Sequence, residues 1–480
     1  MTTPFRVLSV ASECAPLIKT GGLADVVGAL PAALAAEGIE VTTLLPAYKA
    51  VKAKIEGAEP VLDILDCFGG EAQLLKATYG GLDLLLLEAP HLYDRGAGIY
   101  LDAQGHDWHD NAERFGALSR VASEIANGAL ADYAPDLVHC HDWQAGLVPY
   151  YIARSEAAAR IPTVMTIHNI AFQGLVHPHR MGRLGIDGAD FHPEGVEYYG
   201  QLSTLKAGLR FAWKLTTVSP TYAEELMRPE FGMGMDGLLR SRRADLLGIL
   251  NGVDEDAWNP ATDPHIQTYK AARGKAKNKK LLRERFGLPD APGPLCVVIT
   301  RMTEQKGLDL LLEALPALTA SGGQLALLGS GDSALENAFR DFARGDPNVS
   351  VEIGYDETLS HQMLAGGDAI LVPSRFEPCG LTQLMGLRYG TLPIVALTGG
   401  LADTVIGASP ATMARGVATG FQFFPVTAQA LEGALVEACA AYSDKPTWSK
   451  MQRNAMGHPV GWDASARAYG DLYRSLASAP

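Results

Sequence analysis

The sequence predicts an α/β protein of two doubly wound domains, each a parallel sheet with helices on both faces. Three observations carry this prediction. Short β-rich runs recur along the chain, and most are followed by a turn and a helical pattern. Many of the runs are apolar throughout rather than alternating, as strands covered on both faces require. Eleven such runs over about 400 residues exceed one ordinary sheet, while 480 residues at roughly 150 per domain allow two or three domains.

The runs are Arg6–Val10, Asp83–Leu87, Asp136–Cys140, Thr163–Ile167, Leu215–Val218, Leu247–Leu250, Leu295–Thr300, Gln324–Leu328, Val349–Ile353, Ala369–Val372 and Leu392–Val395. The first carries a single Arg and is too brief for a signal sequence, so it reads as a strand. Helical patterns at Ala24–Ala36, Leu308–Leu318 and Gln383–Tyr389 lie between some of the runs. A divide between domains is expected within 245–275. There Asn251-Gly252-Val253-Asp254 closes a strand, and Trp258-Asn259-Pro260-Ala261-Thr262-Asp263-Pro264 has linker chemistry. Residues 270–285 hold eight Lys or Arg against Glu284 alone, which predicts a solvated helix face leading into Leu281, Leu282 and Phe286. Trp462, Ala466, Tyr469, Tyr473 and Leu476 recur at helical spacing and predict a C-terminal helix packed on the body. The expected domains are therefore 1–245 and 246–458, with 459–480 as that helix.

Composition limits the function. Lys and Arg number 40 against 54 Asp and Glu, a net charge of −14. Nucleic acid and anionic membranes both want a basic surface, so neither is an expected partner. Hydrophobic residues make up 47%, enough for large cores. The six cysteines lie far apart without a C-x-x-C pair, which argues against a disulfide framework or a zinc knuckle and for a reducing compartment. The densest apolar stretch, Leu82–Leu87, is interrupted by Asp83 and is far short of the roughly 20 residues of a membrane helix. The cytoplasm is the expected location. The chain has 51 glycines where an average composition would give roughly 34, an excess that suits tight strand-to-helix turns or backbone held against a ligand.

Several segments carry chemistry. Lys19-Thr20-Gly21-Gly22-Leu23-Ala24-Asp25 follows the first strand and opens a helix; its glycines admit a close ligand, its amides suit an anion and Lys19 adds a charge. It is neither a Walker loop nor a G-x-G-x-x-G fingerprint. The hexapeptide Thr20–Asp25 recurs letter for letter as Thr398–Asp403, either a related Gly-rich loop in each half or two convenient turns. Arg301 and Lys306 precede a helix beginning near Gly307, where the helix dipole is unfavourable to cations, which suggests an anion between them, although a pair of surface cations at a helix start is a common alternative. Glu377 lies between a strand and the helix opened by Leu381 and Thr382, whose amides and hydroxyl suit a phosphate. Taken alone, Glu377 also fits a plain acid at a helix start. His168, Asp142 and Asn251 follow strands, and in open α/β sheets ligands bind beyond the carboxyl ends of strands.

The run Lys19–Val26 after an N-terminal strand resembles that of bacterial glycogen synthases and plant starch synthases. Three further segments match in order: His139-Cys140-His141-Asp142-Trp143, then Thr300-Arg301-Met302-Thr303-Glu304-Gln305-Lys306-Gly307, then Pro373-Ser374-Arg375-Phe376-Glu377-Pro378-Cys379-Gly380-Leu381-Thr382. With Thr398–Asp403 they span nearly the whole chain. The resemblance implies the GT-B fold, two Rossmann-like domains facing across a cleft. It implies a retaining glucosyltransferase that moves glucose from ADP-glucose to the nonreducing end of an α-1,4-glucan, elongating glycogen. It places Lys19, Gly21, Gly22 and Asp25 with substrate, the first three at the donor phosphates. Arg301 and Lys306 would stabilise the leaving diphosphate, Glu377 and His168 would contact the donor sugar, and Asp142 would lie at the glucose site. Asn251, Leu381 and Thr382 also bind substrate in this scheme, and Tyr355 stacks on adenine or is a core residue. The wider clan often carries a second Glu eight residues after the first; Met385 stands there, so Glu377 has no paired acid. The alternatives are a GT-B enzyme using UDP-glucose or a small acceptor, and a noncatalytic glucan-binding relative. No cofactor is expected. No metal is expected either, because Asp254-Glu255-Asp256 sits in a turn and the cations already supply positive charge. Oligomeric state is not predicted.

Overall fold

Residues 4–477 are described by the computed structural model, and their strands form two large sheets and one small one. The chain divides into two units. One holds the residues up to Val218, Ala223–Asn251 and those from Trp462 onward; the other holds Ser219–Tyr222 and Gly252–Gly461.

In the first unit nine strands lie in the order Leu246–Gly248, Lys214–Thr217, Thr163–Ile167, Leu137–His141, Phe5–Val10, Ile39–Pro46, Leu82–Glu88, Ala72–Tyr79 and Glu59–Ile64. The pairings are parallel as far as Leu82–Glu88, and the last two strands form an antiparallel edge. Leu137–His141 and Thr163–Ile167 are buried at every residue, which is why they read as unbroken apolar runs. The helix Gly22–Ala35 buries Leu23, Val26, Val27, Leu30 and Leu34, a stripe at helical spacing. Val26, Leu30 and Leu34 of that stripe join Trp462, Ala466, Tyr469, Tyr473 and Leu476 of the C-terminal segment in one core cluster. Each such side chain contributes about 1.5–3 kcal/mol on burial.

The second unit has six strands, all parallel, in the order Val349–Ile353, Gln324–Gly329, Leu295–Ile299, Ala369–Val372, Leu392–Ala396 and Phe421–Phe423. Its main core lies where helix Leu308–Ala320 covers this sheet. Seven strands lie outside the eleven runs: Ile39–Pro46, Glu59–Ile64, Ala72–Tyr79, Leu175–Val176, Glu197–Tyr198, Gln201–Ser203 and Phe421–Phe423. Most are edge or hairpin strands with polar, exposed positions, or too short to show a pattern. Among the described residues no helix is long and apolar enough to cross a membrane.

Both large sheets start in the middle and wind outward in two directions. In the first unit the chain goes from Phe5–Val10 to one side and returns to Leu137–His141 on the other. In the second it leaves Leu295–Ile299 on one side and returns as Ala369–Val372 on the other. Beyond the carboxyl ends of two such neighbours the chain crosses to opposite sides, and the crevice there is where doubly wound sheets bind ligands. The ends in question carry Asp142 in the first unit and Arg301 and Glu377 in the second.

The basic stretch corrects one expectation. Helix Lys275–Phe286 does not simply present its charges to water, since Lys275 is 4% exposed. Its ammonium donates to the carbonyls of Leu364 at 2.8 Å and Tyr389 at 3.0 Å and to the Thr391 hydroxyl at 2.8 Å. Lys279 is paired with Asp368 at 2.5 Å. Burial pulls the Lys275 ammonium down to about 7. Between that value and the ordinary one near 10.4 the unfolded chain binds more protons, so this group favours folding increasingly as pH rises. The stability of the wild type relative to Lys275→Met should therefore increase from pH 7 towards pH 10, measured as the difference between their urea midpoints. A difference that stays flat or shrinks would contradict this.

Candidate active site

In the second unit the loops after two neighbouring strands are laced together. Gly307, with φ +65°, sits where a Cβ would come within 2.0 Å of the Pro373 carbonyl oxygen, so only glycine lets the 301–307 loop lie against the 373–377 loop. Arg375 fixes the register, its guanidinium spanning both carboxylate oxygens of Asp309 at 2.7 and 2.5 Å and its amide donating to the Gln305 carbonyl. The result brings two expected site residues together: Lys306 Nζ lies 2.6 Å from Glu377 Oε2. The Ser374 hydroxyl donates to the same oxygen at 2.8 Å. Glu377 is buried, so its charge is tolerable because Lys306 and Ser374 compensate it. Arg301, by contrast, is exposed and has no ion-pair partner among the described residues. Helix Thr382–Tyr389 starts beside them with Leu381 at its N-cap, and its first amides have no carbonyl one turn earlier to bond. The site thus combines a free guanidinium, a neutralised carboxylate and a helix start, a set suited to a polyhydroxylated ligand that carries phosphate.

The repeated hexapeptide serves two different purposes. At Gly399, with φ +43°, a Cβ would meet the Glu377 carbonyl oxygen at 2.0 Å; at Gly400 it would meet that of Cys379 at 2.1 Å. Gly400 also donates its amide to the Glu377 carbonyl at 3.1 Å. The second copy is therefore a backbone support for Glu377. Its Asp403 accepts the amide and hydroxyl of Thr221 at 2.8 and 2.6 Å.

The first copy is arranged otherwise. A Cβ at Gly21 would meet nothing within 4 Å, so packing does not require this glycine and the space in front of it is open. The expectation that the loop amides present an anion site needs correcting. Thr20 and Gly21 donate their amides to Glu13 Oε2 at 2.5 and 3.2 Å, and the Thr20 hydroxyl and Tyr100 hydroxyl both reach Oε1 at 2.6 Å. Glu13, 3% exposed, takes the role given to a ligand anion. Lys19 is likewise not a lone charge, since it pairs with Asp25 at 2.7 Å on the surface. Gly22 opens the helix that follows.

Beyond strand Leu137–His141, Asp142 adopts φ +53°, a conformation L-residues rarely hold and one that concentrates at functional sites. The bend aims its carboxylate at the His168 amide, which donates to Oδ1 at 2.7 Å. The two expected residues are thus held side by side. Burial pushes the Asp142 carboxyl up to about 7, opposed by amide donation from His168 and Asn169 and reinforced by the charge of Glu13. His168 Nε2 lies 3.0 Å from His141 Nδ1, and His139 and His141 stack behind at 4.1 Å between ring centroids. Burial lowers His139 and His168 to about 3 and His141 well below its ordinary value, so all three imidazoles are neutral near pH 7. Asn251 is buried and its Oδ1 has no hydrogen-bond partner, an acceptor left for a ligand.

Tyr355 is 78% exposed, which rules out the core alternative and leaves its ring accessible for stacking. Cys379 is buried, as expected of a thiol with no assigned chemistry. Asp254 accepts the amides of Asp256 and Ala257 at 2.9 and 3.0 Å, the turn chemistry expected of it, and Glu255 lies 3.8 Å from Arg388. Among the described residues no three His, Cys, Asp or Glu side chains group as a metal site. Sequence reasoning does not reach Glu13, Tyr100 or His141. His141 stands inside a quoted motif, and its adjacency to Asp142 was the available signal; Glu13 and Tyr100 offer no periodicity or spacing.

Comparison with known proteins gives the family. Residues 6–241 match the family described as starch synthase catalytic domain, and residues 293–440 match glycosyl transferases group 1. A glycogen synthase of Jannaschia sp. is 58% identical over 472 residues, covering 98% of this chain and 99% of its own. One from Paracoccus denitrificans is 57% identical over 473 residues, covering 98% and 100%. Among solved structures, the catalytic domain of starch synthase IV from Arabidopsis thaliana, bound to ADP and acarbose, superposes with a TM-score of 0.89 at 32% identity and covers 99% of this chain and 100% of that one.

Two outcomes are expected of these residues. Glu377→Gln keeps the volume and the bond to Ser374, so it should fold with a cooperative melt yet lose turnover by on the order of 100-fold or more; near-wild-type activity would dismiss Glu377. On acidification from pH 6.5 to 5 the three histidines, lowered when folded, lose stability, while Asp142, raised when folded, gains it. Three groups outweigh one, so the melting midpoint should fall over that range, and fall less in His139→Gln.

Proposed function

The chain belongs to the glycogen synthase family of glucosyltransferases, and from that membership we propose that it transfers glucose from ADP-glucose to the nonreducing end of an α-1,4-glucan with retention of configuration. The observation that carries this reading is the Lys306–Glu377 pair beside the unpaired Arg301 at the strand-order reversal of the second unit. Departure of a nucleoside diphosphate from glucose concentrates negative charge on phosphate oxygens, and preorganised cations stabilise that charge as it develops. Arg301 offers a forked donor and Lys306 a point charge held in place by Glu377. Leu381 and Thr382 supply helix-start amides to the same phosphates. Glu377, with one oxygen taken by Lys306 and Ser374, keeps the other for hydroxyls of the glucose. Tyr355 gives the adenine a stacking face. On the first unit, His168 and Asp142 hold the sugar, Asn251 accepts from it, and Lys19, Gly21, Gly22 and Asp25 form the donor-side loop.

Retention through a covalent intermediate uses two carboxyl groups about 5 Å apart. The groups bonded to the Glu377 carboxylate are an ammonium and a hydroxyl, which favours a front-face displacement. In that step the bond from glucose C1 to the phosphate oxygen breaks, the bond from C1 to the acceptor oxygen forms, and the acceptor proton passes to the departing phosphate. The ADP in the Arabidopsis structure supports an adenine nucleotide as donor. Positive charge comes from Arg301, Lys306 and Lys19, so a divalent ion is not required, and the cytoplasm suits a chain whose six buried cysteines form no disulfide.

The test is ADP or UDP release with ADP-glucose against UDP-glucose, with and without glycogen. Glycogen-dependent release from ADP-glucose is expected, unchanged by EDTA and nearly unchanged in Asp256→Asn. Preference for UDP-glucose would overturn the donor, activity abolished by EDTA and restored by Mg²⁺ would overturn the metal-free step, and no turnover with either donor would favour a noncatalytic glucan-binding protein.

A further inference from the structure

His168 has one side-chain hydrogen bond, from or to His141 at 3.0 Å, between Nε2 of the former and Nδ1 of the latter. Two neutral imidazoles that face each other through single nitrogens hold one hydrogen between them, so the tautomer of one dictates that of the other. The direction is set at the far end of the pair. His141 Nε2 lies 3.2 Å from the Ser9 hydroxyl, and Ser9 is 5% exposed in the middle of the sheet. A serine hydroxyl always carries a hydrogen, and leaving it without an acceptor when buried is unfavourable. His141 Nε2 is the acceptor available to it among the described residues. Besides Ser9 and His141, the small space there is lined by aliphatic side chains and by His139 and Tyr473, which bond each other at 2.8 Å. Ser9 therefore donates to His141 Nε2, which leaves His141 protonated at Nδ1, donating to His168 Nε2. The remaining hydrogen of His168 must then sit on Nδ1.

We propose that His141 is a positioning residue which, oriented by Ser9, fixes His168 as the Nδ1–H tautomer, so that His168 offers its ligand a neutral hydrogen-bond donor. The backbone completes the arrangement. The His168 amide is held by Asp142, so Asp142 places the ring while His141 chooses its proton. A neutral donor is the useful form beside a sugar whose reacting carbon gains positive character in the transition state, because it binds a hydroxyl oxygen without adding a like charge. The proposal rests on His168 contacting the sugar.

The experiment uses the full chain labelled with ¹⁵N-histidine, reading the His168 tautomer from long-range imidazole correlations and kcat and KM from ADP release. In the wild type His168 should show a protonated Nδ1 and a bare Nε2. His141→Asn, whose side-chain amide can replace the Nδ1–H donor, should keep that pattern and most of the kcat. His141→Leu should mix the two tautomers and lower kcat roughly 10-fold or more with KM for the donor little changed; Ser9→Ala should shift the tautomer in the same direction with a smaller loss. A protonated Nε2 on His168 in the wild type, or an unchanged tautomer in both Ser9→Ala and His141→Leu, would overturn the proposal. Full activity of His168→Ala would instead overturn the sugar contact beneath it, and the two failures are distinguishable because the tautomer would still be seen.

Discussion

Each large sheet begins with a central strand and is wound outward from it in both directions, and the placement of function follows from that constraint. A parallel strand must be followed by a crossover, so two adjacent strands whose crossovers go opposite ways leave a crevice at their carboxyl ends, lined by the loops that follow them. The gap at their carboxyl ends is imposed by winding, before any particular side chain is chosen. What the sequence adds is the identity of the residues at those ends: Asp142 and Arg301 at strand exits, and Glu377 on the loop opposite Arg301.

The three carboxylates near those ends are buried, and each is accommodated by a different physical means. Glu13 is surrounded by donors, two amides and two hydroxyls, so its charge is dispersed over neutral dipoles. Glu377 faces an ammonium, with the Ser374 hydroxyl donating to the same oxygen. Asp142 has two amides and no cation, and burial pushes its carboxyl up to about 7. Lys275 shows the converse, a cation accommodated by carbonyls and a hydroxyl far from any of this chemistry.

Legibility in the sequence tracks how local the cause is. The central strands were readable because burial on both faces makes them apolar throughout. Arg301, Lys306 and Glu377 were readable because they sit at predictable exits within short motifs, although the contact between Lys306 and Glu377 joins positions 71 apart in the chain. Glu13 and Tyr100 were not readable, since their union spans 87 positions and follows from tertiary folding alone. The hairpin Glu59–Tyr79 was missed because an edge exposes alternate residues to water and dilutes the apolar signal. Lys275 was misjudged because a run of basic residues does not reveal which of them faces inward.

The two copies of Thr-Gly-Gly-Leu-Ala-Asp carry a consequence for descent. Gly399 and Gly400 are held by the chain's own carbonyls, whereas Gly21 faces open space. A descendant that abandoned catalysis while keeping its fold would be free to replace Gly21 but would still have to retain the other pair. Drift confined to the first copy would then mark the loss of chemistry, and drift in the second would mark the loss of the domain itself.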